Sequence, residues 1–169
     1  MAEIFLEKEL AEGGTSGEIL VVRRAGEEDL ADITDLEALC FKGEDPWSYE
    51  AFYNEIVTNE DRTLYLVAQL NGETVGYMGV WQILDEGHIT NVAVSPDHRK
   101  RHIGEAIIRA MLDETYKSGI RSWTLEARVD NEPAIRLYEK MGFRREGIRP
   151  KYYAYDGTDA LIMWKGHEE

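Results

Sequence analysis

Residues His88 to Ala110, HITNVAVSPDHRKRHIGEAIIRA, constrain the fold more than any other stretch, because their periodicity changes midway. Residues 88–94 are rich in β-branched side chains and stop at Ser95-Pro96, where proline interrupts strand pairing. Ile103, Ala106, Ile107, Ala110 and Met111 then recur at helical spacing. Between the two runs lie Arg99, Lys100, Arg101 and His102, with Gly104 in the first helical turn. A helix N-terminus presents backbone N–H groups without intrahelical partners at the positive end of its dipole. No Ser, Thr, Asp or Asn stands just before Ile103 to cap them. The loop cations and the close approach that glycine allows point to an anion here; the alternative is a solvated basic turn.

The rest of the chain supplies companions for this strand–loop–helix unit. Residues 1–18 are acidic and end in a Gly-rich run, which predicts a flexible extension ahead of one domain spanning 19–169; the alternative is that Ile4, Phe5 and Leu6 dock on that domain. Ile19–Arg24 reads as a strand. A helix follows, with Glu27, Glu28 and Asp29 in its first turn and Leu30, Ile33, Leu36, Leu39 and Cys40 as its inner face. Ser48 is placed to cap a second helix carrying Phe52, Tyr53 and Ile56. Asn71-Gly72 between two apolar runs, Thr63–Leu70 and Thr74–Ile83, signals a hairpin. The central helix should stop near Ser118-Gly119. In 121–129, Trp123, Leu125, Ala127 and Val129 alternate with Ser122, Thr124, Glu126 and Arg128, giving a second strand parallel to the first through a right-handed crossover. Asn131 caps a helix with inner face Ala134, Leu137, Tyr138 and Met141, ended by Gly142. Two last strands, residues 143–155 and 159–165, meet at Asp156-Gly157.

A net charge of −14 argues against non-specific nucleic-acid binding and suits basic peptide partners. The lone Cys40 cannot form an intrachain disulfide, and its place in a helix without a paired base suits packing better than nucleophilic chemistry. No long apolar run and no leader pattern is seen, so the expected compartment is the cytoplasm and no membrane contact is expected. His88, His98, His102 and His167 have no metal-ligand spacing with it, and no metal is expected.

Two polar residues stand out. Glu126 lies mid-strand between apolar neighbours, where burial would raise its pKa and make it a base; the alternative is a salt bridge, for instance to Arg128. Tyr138 on an inner helix face is either a core residue or a hydroxyl donor. Tyr152 and Tyr153, beside Pro150, would pack on the sheet or wall a groove, with Phe41 and Trp47 as possible counterparts.

Arg101-x-x-Gly104-x-Ala106 resembles the Gln/Arg-x-x-Gly-x-Gly/Ala signature of the GNAT acetyltransferases, with His102 where relatives usually carry glycine. Leu125-Glu126-Ala127-Arg128, Asn131, Ala134-Ile135-x-Leu137-Tyr138-Glu139-x-x-Gly142-Phe143, Lys151-Tyr152-Tyr153 and Asp159-Ala160-Leu161-Ile162-Met163 are similar, in order, to the bacterial ribosomal-protein alanine N-acetyltransferases, the RimI family. The resemblance covers roughly residues 20–165. It implies an α/β GNAT fold, a mixed, mostly antiparallel sheet flanked by helices. It implies acetyl-CoA held by Val92, Ala93, Val94, Arg99, Arg101, His102, Ile103, Gly104, Glu105, Ala106 and Asn131, with the pyrophosphate on backbone amides. Glu126 would be general base, Tyr138 general acid to the departing thiol, and Phe41, Trp47, Asn91, Tyr152 and Tyr153 the acceptor groove.

The implied acceptor is a protein N-terminus, the alanine of a small-subunit ribosomal protein. The alternatives are a small-molecule amine, a lysine, or a sensor of acyl-CoA without turnover. A peptide α-amine, with a reference pKa of ~7.7–8, is about one-tenth neutral at pH 7, so a modest base suffices. A lysine amine is neutral only about once in a few thousand. Transfer from a tyrosine at ~10 to a thiolate at ~8.5 is uphill by about 2 kcal/mol.

Overall fold

The computed structural model describes residues 3–10 and 17–167. Its strands are β1 (Ile4–Leu10), β2 (Glu18–Arg24), β3 (Thr63–Leu70), β4 (Glu73–Ile83), β5 (Glu86–Val94), β6 (Ser122–Arg128), β7 (Arg144–Tyr153) and β8 (Thr158–Gly166). The helices are α1 (Leu30–Cys40), α2 (Tyr49–Tyr53, continued as a π-helical turn over Asn54–Thr58), α3 (Ile103–Lys117) and α4 (Glu132–Lys140). One eight-stranded sheet runs β1-β2-β3-β4-β5-β6-β8-β7. Its neighbours are antiparallel except β5 and β6, the parallel pair joined by the α3 crossover. The predicted stops hold: Asn71-Gly72 turns β3 into β4, Gly119 and Gly142 follow α3 and α4 with φ of 110° and 98°, and Ser48 and Asn131 accept the capping hydrogen bonds.

Strand alternation gives the sheet two apolar faces. Leu20, Val22, Leu64, Leu66, Met78, Val80, Ile89, Trp123, Leu125 and Ala127 form one core with Ile103, Ile107, Ile108 and Met111 of α3. Each such fully buried side chain contributes about 1.5–3 kcal/mol. Tyr65, Val67, Tyr77 and Ala93 point the other way, against Leu30, Ile33 and Leu36 of α1 and Phe52 and Ile56 beyond it.

Two expectations are corrected. In α1, Leu39 is 59% exposed, whereas Glu37, one residue after the buried Leu36, is 3% exposed. The carboxylate can lie inside because three donors meet it there, the Trp47 backbone N–H, the Tyr77 hydroxyl and Asn91 Nδ2.

The second correction is at the N-terminus. Ile4–Leu10 is a strand, antiparallel to β2, rather than a free tether. Leu10 is buried and Phe5 and Leu6 pack against the α3-side core, so the apolar side chains outweigh the acidic neighbours. The Gly-rich run at 11–16 lies outside the described residues. Deleting residues 1–10 should therefore lower the melting temperature by several degrees, at about 2–4 °C per kcal/mol for a chain of this size. Calorimetry of the truncated protein checks this; an unchanged transition would mean that β1 adds nothing.

Candidate active site

The site begins where the parallel pair comes apart. β5 and β6 are in register only at Glu86, Gly87 and His88 against Ser122, Trp123 and Thr124. Beyond His88 the pairing ends, and β5 keeps its ladder only with β4. In β5, Val80 faces Ile89 and Gly79 faces Asn91, so Thr90 is an extra residue, a bulge. It puts two consecutive side chains on one face: Thr90 meets the Tyr65 hydroxyl at 3.2 Å and Asn91 meets Glu37 at 3.3 Å. Both partners belong to the α1–α2 side.

Glu126 faces that same side, because its neighbours Leu125 and Ala127 point into the α3 core. Its Oε2 lies 2.6 Å from His88 Nε2 and its Oε1 3.4 Å from Arg149 Nε. Among the described residues Glu126 forms no ion pair with Arg128. Arg128 instead binds Asp130 at 3.0 Å, Asp156 at 2.7 Å and the Tyr155 hydroxyl. The expectation of a raised Glu126 pKa is also overturned. The His88 hydrogen bond outweighs desolvation, and with the nearby Arg149 it holds the carboxyl below the usual range.

Tyr138 lies on the other face. It packs against the α3-side core, with its ring edge-on to Phe143 at 5.9 Å. Its hydroxyl has no hydrogen-bond partner among the described residues, and burial pushes its pKa up to about 12. Glu126 and Tyr138 thus lie on opposite faces of the sheet.

The α3 side carries most of the cofactor residues expected from sequence. Val92 and Val94 pack toward the α3 core, Ala93 toward the other. Ile103 and Ala106 are buried on α3. The first intrahelical bond of α3 runs from Ala106 N to His102 O at 3.1 Å, so the N–H groups of Ile103, Gly104 and Glu105 precede the ladder. No side chain caps them. A β-carbon on Gly104 would lie 3.3 Å from Leu137 Cδ2, so the helix start sits close against α4. These features fit a pyrophosphate on the amides.

Two of the loop cations are engaged elsewhere: Arg101 binds Glu18 at 2.8 Å and Arg99 donates to Val94 O at 3.1 Å, while His102 Nδ1 lies 3.4 Å from Glu105. Glu105 is further tied to Lys140 at 2.9 Å, the contact that lowers its pKa most. His102 has φ 62° and ψ 19°, a left-handed conformation that glycine adopts without penalty. Asn131 caps α4 through Ala134 N at 3.3 Å.

The acceptor residues are less tightly gathered. Phe41 and Trp47 pack on the α1–α2 core. Tyr152 stands edge-on to Tyr153 at 5.0 Å, and Tyr153 to Tyr155 at 6.1 Å. Burial, then the Glu126 charge, raises the Tyr152 pKa, so this tyrosine lies within electrostatic reach of Glu126. The recorded bridge from the α1–α2 loop to this segment is Glu44 with the Tyr155 hydroxyl, 2.9 Å, rather than Phe41 or Trp47 with Tyr152 or Tyr153. Sequence reading missed His88 and Glu37. The parallel register, which sets His88 beside Thr124 and two residues short of Glu126, is the signal that could have found His88.

Known proteins share the sequence pattern and the fold. The sequence matches the Acetyltransferase (GNAT) family over residues 30–143. It is 38% identical over 143 residues to a Bacillus subtilis (strain 168) protein provisionally named [ribosomal protein bS18]-alanine N-acetyltransferase, covering 85% of this chain and 93% of that one. It is 34% identical over 139 residues to the N-alpha-acetyltransferase RimI of Mycobacterium tuberculosis (strain ATCC 25618 / H37Rv), covering 80% and 85%. The crystal structure of the ribosomal-protein-S18-alanine N-acetyltransferase from Escherichia coli superposes with a TM-score of 0.80 at 30% identity, covering 89% of this chain and 95% of that one. A parallel pair that opens beside an uncapped helix, read together with these matches, makes the chain a member of the GNAT acetyltransferase family.

Proposed function

We propose that the protein transfers the acetyl group of acetyl-CoA to the α-amine of a protein N-terminus, the alanine of the small-subunit ribosomal protein bS18, in the cytoplasm. The observation that carries this reading is the β5–β6 gap, with Glu126 and His88 on one face and Tyr138 and the uncapped α3 amides on the other. The names of the relatives at 38% and 34% identity support the acceptor.

When bound, acetyl-CoA supplies an activated acyl thioester. The amides of Ile103, Gly104 and Glu105 hold its pyrophosphate, and the freed edge of β5 at Val92, Ala93 and Val94 offers backbone groups to its arm. The acceptor comes to the opposite face, beside Tyr152, Tyr153, Asn91 and the loop carrying Phe41 and Trp47. Glu126 receives an N–H of the amine. Its low pKa makes it a weak base toward an ammonium, but the amine is already partly neutral near pH 8, and its nitrogen becomes far more acidic as the new bond forms.

Tyr138, at about 12, stands some 3.5 units above a thiol, so releasing its proton fully is uphill by about 5 kcal/mol. It serves the sulfur as a hydrogen-bond donor. Holding both reactants in one gap supplies several kcal/mol more.

The test is a peptide panel differing only in the first residues, with mass spectrometry locating the acetyl group. Acetyl on the α-amine of alanine-initiated peptides, with internal lysines unmodified, is expected. Acetyl on lysine, or no transfer, overturns the reading.

A further inference from the structure

Resting on the acceptor face proposed above, we infer that Arg128 is a positioning residue for the acceptor: with Glu44 and Tyr155 it latches the α1–α2 loop to the β7–β8 turn across the outer end of the β5–β6 gap. The strand places Arg128 on the Glu126 face. Leu125 and Ala127 point into the α3 core, so Glu126 and Arg128 alternate to the other side, about 7 Å apart along β6. Arg128 is the last residue of β6, and Val94 the last of β5. The α1–α2 loop runs from one to the other. Cys40, which ends α1, donates its thiol to Val94 O at 3.5 Å. Four residues on, Glu44 Oε1 accepts from the Tyr155 hydroxyl at 2.9 Å and lies 3.9 Å from Arg128 Nε. Residues 40–44 therefore span the interval that β5 and β6 leave unpaired beyond His88.

The far side of the latch is built on Arg128. Its guanidinium donates to Asp130 at 3.0 Å, to Asp156 at 2.7 Å, to Thr158 Oγ1 at 2.9 Å and to the Tyr155 hydroxyl. It lies over the rings of Tyr153 and Tyr155, with each centroid 5.3 Å from Cζ. Its side chain is only 18% exposed, so these contacts are better shielded than an ordinary surface pair, and one planar fork holds them together. Three carboxylates, Glu44, Asp130 and Asp156, gather round this one cation. Without it they repel one another, and the loop and the turn part. Tyr153 in turn stands edge-on to Tyr152, which lies within electrostatic reach of Glu126. The latch thus ties together both walls of the acceptor groove. It leaves the base alone, because the groups that hold the Glu126 pKa down are His88 and Arg149.

The test uses two variants. Arg128→Met keeps most of the side chain's length without its charge or its fork. Glu44→Ala removes a side chain whose polar contacts among the described residues are with Arg128 and Tyr155. Steady-state rates are measured on an alanine-initiated peptide at saturating acetyl-CoA. In Arg128→Met the acceptor KM should rise about tenfold or more, with kcat within about twofold of wild type. In Glu44→Ala it should rise about two- to fivefold. Acetyl-CoA affinity by calorimetry should be unchanged in both, and the profile of kcat/KM against pH should keep its shape. Glu44→Ala should add little in the Arg128→Met background, where the latch is already open. An acceptor KM within twofold of wild type in folded Arg128→Met, a matching loss of acetyl-CoA affinity, or fully additive losses in the double variant overturns the inference. If Arg128→Met does not fold, Glu44→Ala decides alone, and an unchanged KM overturns it. Failure of the acceptor reading shows instead in the wild type, as transfer to lysine or no transfer.

Discussion

Glu126→Gln is expected to lower kcat at neutral pH by about two to four powers of ten. Acetyl-CoA affinity should stay at the wild-type value, since Glu126 faces the acceptor side. With its pKa held below the usual carboxylate range, chiefly by the His88 hydrogen bond and also by Arg149, Glu126 is ionised at neutral pH. The acid limb of the wild-type kcat/KM profile therefore belongs to the peptide amine, near ~8, and not to the carboxylate. In the variant, part of the loss returns as pH rises, because more amine is neutral without assistance. A group with a depressed folded pKa stabilises the fold above its unfolded value and ceases to do so as pH falls through the folded one. The ion-pair contribution of Glu126 is thus present at assay pH, and melting curves must accompany the rates. Tyr138→Phe should also lower turnover, without recovery at high pH, because its hydroxyl serves the sulfur. If both variants keep wild-type rates from acid to alkaline pH, the pair is structural and the mechanism is wrong.

Gly104→Val should weaken acetyl-CoA binding by at least about tenfold while the protein stays folded. The β-carbon alone would meet Leu137 at 3.3 Å and Val94 Cγ2 at 3.6 Å, a fit tight enough that α3 must shift slightly. The added methyl groups then crowd the amides of residues 103–105, and a lost hydrogen bond to a charged ligand is worth about 1.5–3 kcal/mol. Calorimetric titration with CoA measures this directly. Unchanged affinity in a folded variant would move the pyrophosphate away from this helix start.

What could be read from sequence was local. The change from alternating to helical spacing at Ser95–Ile103, the Asn71-Gly72 turn and the caps at Ser48 and Asn131 depend on neighbours a few residues apart, and all appear in the structure. Pairings across the sheet were hidden. His88 and Glu126 are separated by 38 positions, and only the parallel register brings them to 2.6 Å. Helical period alone gives α1 a leucine face through Leu39, yet Glu37 is the residue inside, because its donors come from β4, β5 and a loop. The N-terminal strand escaped notice because edge strands carry charges on their open side, and Glu7, Lys8 and Glu9 resemble a solvated tail until β2 is placed beside them.

The arrangement of reacting groups on the two sides of one sheet has an evolutionary consequence. In the mechanism proposed above, the coenzyme is gripped by α3, α4 and the outer half of β5, and the acceptor is met by α1, α2 and the tyrosines of β7. Mutations that redraw the acceptor surface leave the coenzyme surface largely untouched. A lineage with this fold can change what it acetylates by drift on one layer, without first surrendering its acyl donor.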